Sequence, residues 1–125
     1  PERVILTGEV SNVQDYYRAA DGFAFASLQE GLPSAVLEAM SSGLPAVLAP
    51  FHGFPAQGEE YGTSGTHHLS ATHEPASMAS GIIQLLADAS LREKIGHAAH
   101  LWIAKTQSMN QAAAILANEY HALCG

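Results

Sequence analysis

Two glutamates eight positions apart stand in the segment Ser27-Leu28-Gln29-Glu30-Gly31-Leu32-Pro33-Ser34-Ala35-Val36-Leu37-Glu38-Ala39-Met40. A pair of carboxylates serves acid–base chemistry at glycosidic bonds or accepts hydrogen bonds from hydroxyl groups. Their surroundings differ. Glu30 falls in a loop, followed by Gly31, which lets a backbone approach a ligand closely or take a positive φ. Pro33 marks a helix start, and Leu32 before it has no side-chain acceptor with which to cap that start. The helix tip therefore keeps unsatisfied N–H donors and the positive end of its dipole, a ready place for a phosphate; water or a neighbouring loop would satisfy the same groups. Ser34, Glu38, Ser41 and Ser42 share one polar arc opposite Val36 and Met40, with Ser34 and Glu38 as i, i+4 neighbours. Glu38 is then ~7.5 Å along the helix at ~1.5 Å per residue. That separation fits a diphosphate at the tip and a sugar hydroxyl at Glu38, against the plainer reading of a solvated helix glutamate.

The elements that hold this segment follow from hydrophobic periodicity. Val4-Ile5-Leu6, Phe23-Ala24-Phe25-Ala26 and Ala46-Val47-Leu48-Ala49 are continuous apolar runs, as in parallel strands covered on both faces. The stretches between them are long enough for right-handed crossovers. The expectation is an α/β fold, a doubly wound Rossmann-like parallel sheet. Its strands lie near Arg3–Thr7, Gly22–Ser27 and Ala46–Ala49, with a short fourth near His67–Ser70. Three stripes predict a helical C-terminal half with apolar faces in the core: Ala79, Ile82, Ile83 and Leu86; Leu91, Ile95, Ala98 and Trp102; and Met109, Ala112, Leu116, Tyr120 and Leu123. Ser11 with Gln14, Ser90 with Glu93 and Ser108 with Gln111 match capping boxes.

Composition removes several functions. With 125 residues the chain is one domain at most. At 47% apolar and 14% charged residues it is neither disordered nor a coiled coil. A net charge of −7, with the five basic residues scattered, disfavours nucleic acid and anionic membrane as partners. No apolar run approaches a membrane span. Cys124 stands alone, so no internal disulfide forms, which fits a reducing, cytoplasmic setting. The seven histidines include His67, His68 and His73 close together, but no cysteine or His-Glu-x-x-His spacing accompanies them, so solvated histidines are expected and no metal site. No Gly-x-Ser-x-Gly elbow surrounds Ser34.

The Glu30…Glu38 pattern, together with VILTG at Val4–Gly8, YYRAADGFAFAS at Tyr16–Ser27, LEAMSSGLPAVLAP at Leu37–Pro50 and, more loosely, ASLREKIG at Ala89–Gly96, resembles the C-terminal part of the second domain of family 4 retaining glycosyltransferases of the GT-B fold. The resemblance covers nearly all of the chain and makes residues 1–125 a single partial domain, the donor-binding half. It implies transfer of a sugar from a UDP- or GDP-sugar to an acceptor hydroxyl with retention, and no cofactor. Glu30 would act at the donor sugar, Gly31, Leu32 and Ser34 would hold the departing diphosphate, and Glu38 would take the ribose hydroxyls.

The chain departs from the family where a Gly-Gly-x-Pro-Glu stretch is common, having His52-Gly53-Phe54-Pro55-Ala56 instead. The family's Arg and Lys that grip the diphosphate come from a segment upstream, as does the acceptor domain, so the isolated chain is expected to be inactive. The competing reading is a non-catalytic α/β interaction module, since an incomplete sheet exposes edges that favour self-association.

Overall fold

The computed structural model describes residues 3–53 and 61–124. In chain order the elements are α1 (Val13–Ala19), β1 (Phe23–Phe25), β2 (Gln29–Glu30), α2 (Ser34–Ser41), β3 (Ala46–Leu48), β4 (His52–Gly53), β5 (Leu69–Ser70), α3 (Pro75–Ala87), α4 (Ala89–Thr106) and α5 (Met109–Cys124). β1, β3 and β5 form a parallel sheet in that order, with β3 in the middle. The uninterrupted apolar run Ala46-Val47-Leu48 is buried throughout, as a strand covered on both faces must be.

Alternation along β3 builds two cores. Ala46 and Leu48 face Val36 and Met40 of α2 and Ala99 and Ile103 of α4. Val47 faces Leu85 of α3 and Ile95 of α4. α4 thus serves both faces, and it passes the turn before β3 so closely that Gly96 packs on the Gly43 carbonyl oxygen and Pro45. A third cluster joins Tyr17 of α1 to Ala39 and Leu44.

Five sequence expectations are corrected. Residues Arg3–Thr7 are not a strand: Val4, Ile5 and Leu6 are 72%, 83% and 92% exposed. A β-branched run becomes a strand only against a pleated surface that takes its side chains, and this one pairs with nothing among the described residues. The α5 stripe is not core either, since Leu116, Tyr120 and Leu123 are exposed; the sheet faces are already covered by α1 to α4. The α3 face is turned by about one residue, so that Leu85 is buried while Ile83 and Leu86 are exposed. Two caps also move. α1 starts after Asn12 with no side-chain cap, and α4 is capped by Asp88, which accepts from the Leu91 N–H at 2.9 Å. The Ser108 hydroxyl does cap α5, accepting from the Gln111 N–H at 3.3 Å.

Two of the histidines, His67 and His68, carry structure, while His73, His97, His100 and His121 are exposed as expected. Among the described residues no group of three or more His, Cys, Asp or Glu is placed to hold a metal ion. His67 accepts the Thr63 N–H at 2.8 Å and packs against Trp102. His68 is buried; its Nδ1–H donates to the Tyr61 carbonyl at 3.2 Å and its Nε2 faces the Ser70 hydroxyl at 3.4 Å. Burial holds its pKa below the ordinary histidine value; the Tyr61 carbonyl opposes that shift and nearby His67 adds to it. The unfolded chain therefore binds a proton more readily than the folded one, so stability is full above pH ~6.5 and is lost as pH falls through the folded-state value. The midpoint of thermal unfolding should drop as pH is lowered from about 7 towards 5, and His68→Gln should flatten that slope. An equal slope in the variant would place the acid sensitivity elsewhere.

Candidate functional site

The site is assembled where the sheet's two first strands run past its edge. β2 and β4 pair in parallel, Gln29 with His52 and Glu30 with Gly53, at the same offset that sets Phe23 against Ala46. The two ladders are therefore one ribbon interrupted at residues 26–28 and 49–51. The Ala49 N–H closes the first part by donating to the Phe25 carbonyl at 2.9 Å. Within the interruption the Ser27 hydroxyl donates to the Gln29 carbonyl at 3.2 Å. The pairing then resumes for two residues and delivers Glu30, half-buried, beyond the carboxyl ends of β1 and β3. Crevices at that end of a doubly wound sheet are where such folds take ligands.

From Glu30 the chain enters α2 through two exposed residues, Gly31 and Leu32, and a buried Pro33. α2 starts at Ser34, one residue later than the proline suggested, with Pro33 as its cap and no side chain bonded to its end. The proline ring explains the cap: it fixes φ at −74° and has no side-chain acceptor. The Ser34 N–H turns back onto the Leu32 carbonyl at 2.8 Å, and the Val36 and Leu37 N–H groups reach Pro33 at 3.0 and 3.4 Å. Among the described residues the N–H groups of Leu32 and Ala35 have no backbone acceptor. The helix end thus keeps N–H groups without a backbone partner among the described residues.

Glu38 is exposed on α2. Tyr17 of α1 stands against it. The phenol is held above its ordinary pKa by burial first, then by the negative charge of Glu38 and a hydrogen bond to it. The rest of the expected polar arc is different: Ser41 and Ser42 turn their hydroxyls onto the Glu38 carbonyl, both at 2.9 Å, and do not face outward as ligand groups. Tyr17 was not legible as a site residue, since its spacing from Val13 marks only a helix face and the contact spans two elements. The Phe54-Pro55-Ala56 departure lies outside the described residues.

Two of the basic side chains are engaged away from this end of the sheet. Arg18 pairs with Asp15 at 3.7 Å, and Arg92 donates to the carbonyls of Leu85 and Leu86 at 2.8 and 2.9 Å, closing the end of α3. Both line an open cleft of ≈410 Å³ beside Asp21 and Pro45, at the amino ends of β1 and β3.

Comparison with known proteins gives this geometry a family. The family model described as glycosyl transferases group 1 matches residues 1–88. Over 52 residues the chain is 38% identical to a UDP-Gal:alpha-D-GlcNAc-diphosphoundecaprenol alpha-1,3-galactosyltransferase of Escherichia coli; the match takes in 42% of this chain and 13% of that protein. The structure superposes, with a TM-score of 0.69 and 20% identity, on the C-terminal domain of a glycosyl transferase group 1 family protein, LpcC, from Francisella tularensis. That superposition covers 85% of this chain and 53% of the other, and the likeness is one of fold. No described helix is long and apolar enough to cross a membrane. A family match over most of the chain, on a parallel sheet that superposes on a domain of the same family, leaves one conclusion: the chain belongs to the group 1 glycosyl transferases.

Proposed function

We propose that residues 1–125 are the donor-binding half of a retaining glycosyltransferase that moves a sugar from a nucleotide-diphosphate carrier to an acceptor hydroxyl. The observation that carries this reading is the resumed ladder of β2 and β4, which sets Glu30 directly before an uncapped helix end at the carboxyl edge of the sheet. As the bond to the leaving diphosphate breaks, negative charge grows on that group. Donors fixed in place beforehand lower the barrier without having to reorganise. In this reading Gly31 and Leu32 offer backbone N–H groups and Ser34 its exposed hydroxyl to the diphosphate. Glu30 stabilises the reacting centre of the sugar, and Glu38 accepts hydrogen bonds from the ribose.

One half of a crevice binds weakly. A helix terminus contributes ~0.3–1 kcal/mol towards an exposed anion, and a hydrogen bond to a carboxylate ~1.5–3 kcal/mol. Together these lie near or below the ~4.1 kcal/mol of a millimolar Kd, and the net charge of −7 opposes an anion at long range. Titrating the 125-residue chain with UDP and with GDP should therefore shift the amide signals of Glu30 to Glu38 with a Kd of about 1 mM or weaker. Saturating additions that leave those signals unmoved would end the donor-site reading. Submicromolar binding would show that the chain holds far more of the site than these residues.

A further inference from the structure

The interruption between β1 and β2 takes residues 26–28 out of the ladder, and with them the carbonyl of Ser27, which has no strand partner there. A carbonyl left at a break in a ladder is ordinarily satisfied by water or by a side chain. Here a side chain from a distant part of the sequence reaches it. His73 lies between β5 and α3, and its Nε2 is 3.2 Å from the Ser27 oxygen. A carbonyl only accepts, so the ring nitrogen donates, and the bond survives whether the imidazole is neutral or protonated. The contact spans 46 positions of sequence and ties the loop after β5 to the loop that leads into Glu30.

The other restraints on this loop are local or shared with β4. Ser27 bonds only as far as Gln29, and the resumed pairing is two residues long. A ribbon this short is marginal by itself, so an additional anchor at its entry changes how well its end is defined. Interruptions of this kind beside a site commonly re-aim the side chain that follows.

We propose that His73 is a positioning residue for Glu30: by donating from Nε2 to the Ser27 carbonyl it fixes the interruption in the ladder and thus the direction in which Glu30 meets the donor sugar. The proposal rests on the donor-site reading for its consequence in catalysis, while the anchoring itself does not depend on any ligand. His73 is exposed and outside both cores, so its loss leaves the global fold in place.

The test has two parts. In the isolated chain, His73→Ala should accelerate amide exchange at Gln29, Glu30 and Gly31 by tenfold or more, with Val47 and Leu48 unchanged. His73→Gln, whose amide can still donate, should restore at least half of the lost protection. In the full-length protein, His73→Ala should lower kcat at least tenfold with donor KM altered less than threefold, again with partial recovery in His73→Gln. A role in folding alone would lower the unfolding midpoint and the core protection without that split. Unchanged exchange at residues 29–31 in His73→Ala, or equal loosening in the alanine and glutamine variants, would overturn the proposal. The donor-site reading fails on a different result, the absence of UDP- or GDP-induced shifts at Glu30 to Glu38 in the unmodified chain.

Discussion

Glu30→Ala in the full-length protein is expected to lower kcat by about 10²–10³ while donor KM changes little. The magnitude is that of removing one preorganised electrostatic group from a transition state. The direction follows from where Glu30 sits. It is half-buried at the end of a short paired segment, which restrains its backbone before substrate arrives. A group held in this way interacts most with charge that develops during reaction, and such an interaction appears in kcat. Glu38→Ala should behave differently, raising donor KM by roughly ten- to a hundredfold, the equivalent of ~1.5–3 kcal/mol for a hydrogen bond to a charged group. Its carboxylate lies farther along α2, away from the helix end where the leaving group would rest. Steady-state kinetics with varied donor separates the two. Equal losses in kcat for both variants, with donor KM unmoved, would refute this division of roles.

Gly96→Ala should be the most damaging single-methyl change in the fold. A Cβ at position 96 would fall on the Gly43 carbonyl oxygen, which is backbone and cannot rotate aside. Gly43 is itself committed to a positive φ of 76° at the end of α2, so the turn has little freedom to yield. α4 would have to lift from the sheet, loosening Ala99 and Ile95 in both cores. Overpacking of this kind costs ~1–3 kcal/mol and occasionally more, offset by at most ~1 kcal/mol from alanine's better helix propensity. A net loss of ~2 kcal/mol lowers the unfolding midpoint by roughly 8–16 °C in a domain of ~100 residues. Gly31→Ala is the contrast. Nothing among the described residues lies within 4 Å of its added methyl, so the midpoint should stay put while UDP-induced shifts at the α2 terminus weaken. A Gly96→Ala chain melting with the unmodified one would mean that α4 does not rest on this turn.

What the sequence revealed and what it hid divide along physical lines. Ala46-Val47-Leu48 announced a central strand because every position in it is apolar, and burial on both faces admits nothing else. The uncapped start of α2 was legible because capping depends on residue types at adjacent positions. Local competition between neighbouring candidates then blurred the details: Asp88 outdid Ser90 as the cap of α4, and α2 began at Ser34 rather than Pro33. Interactions between distant segments left no trace in spacing. The Tyr17–Glu38 contact, the pairing of β2 with β4 and the His73–Ser27 bond each join parts of the chain that no periodicity links. Val4-Ile5-Leu6 and the stripe of α5 mislead for the opposite reason. An apolar pattern reports a capacity for burial, and burial also needs a surface to receive it.

The common offset of the two ladders limits how this site can change length. The interruptions at 26–28 and 49–51 contain three residues on each strand, so the pairing resumes in step. Deleting or inserting one residue in only one of them would slip the second ladder against the first, and a one-residue slip turns each side chain to the opposite face. Glu30 would then be presented on the wrong side of the ribbon. Relatives that vary in length here should therefore do so in matched pairs, and a loop graft must exchange both segments together.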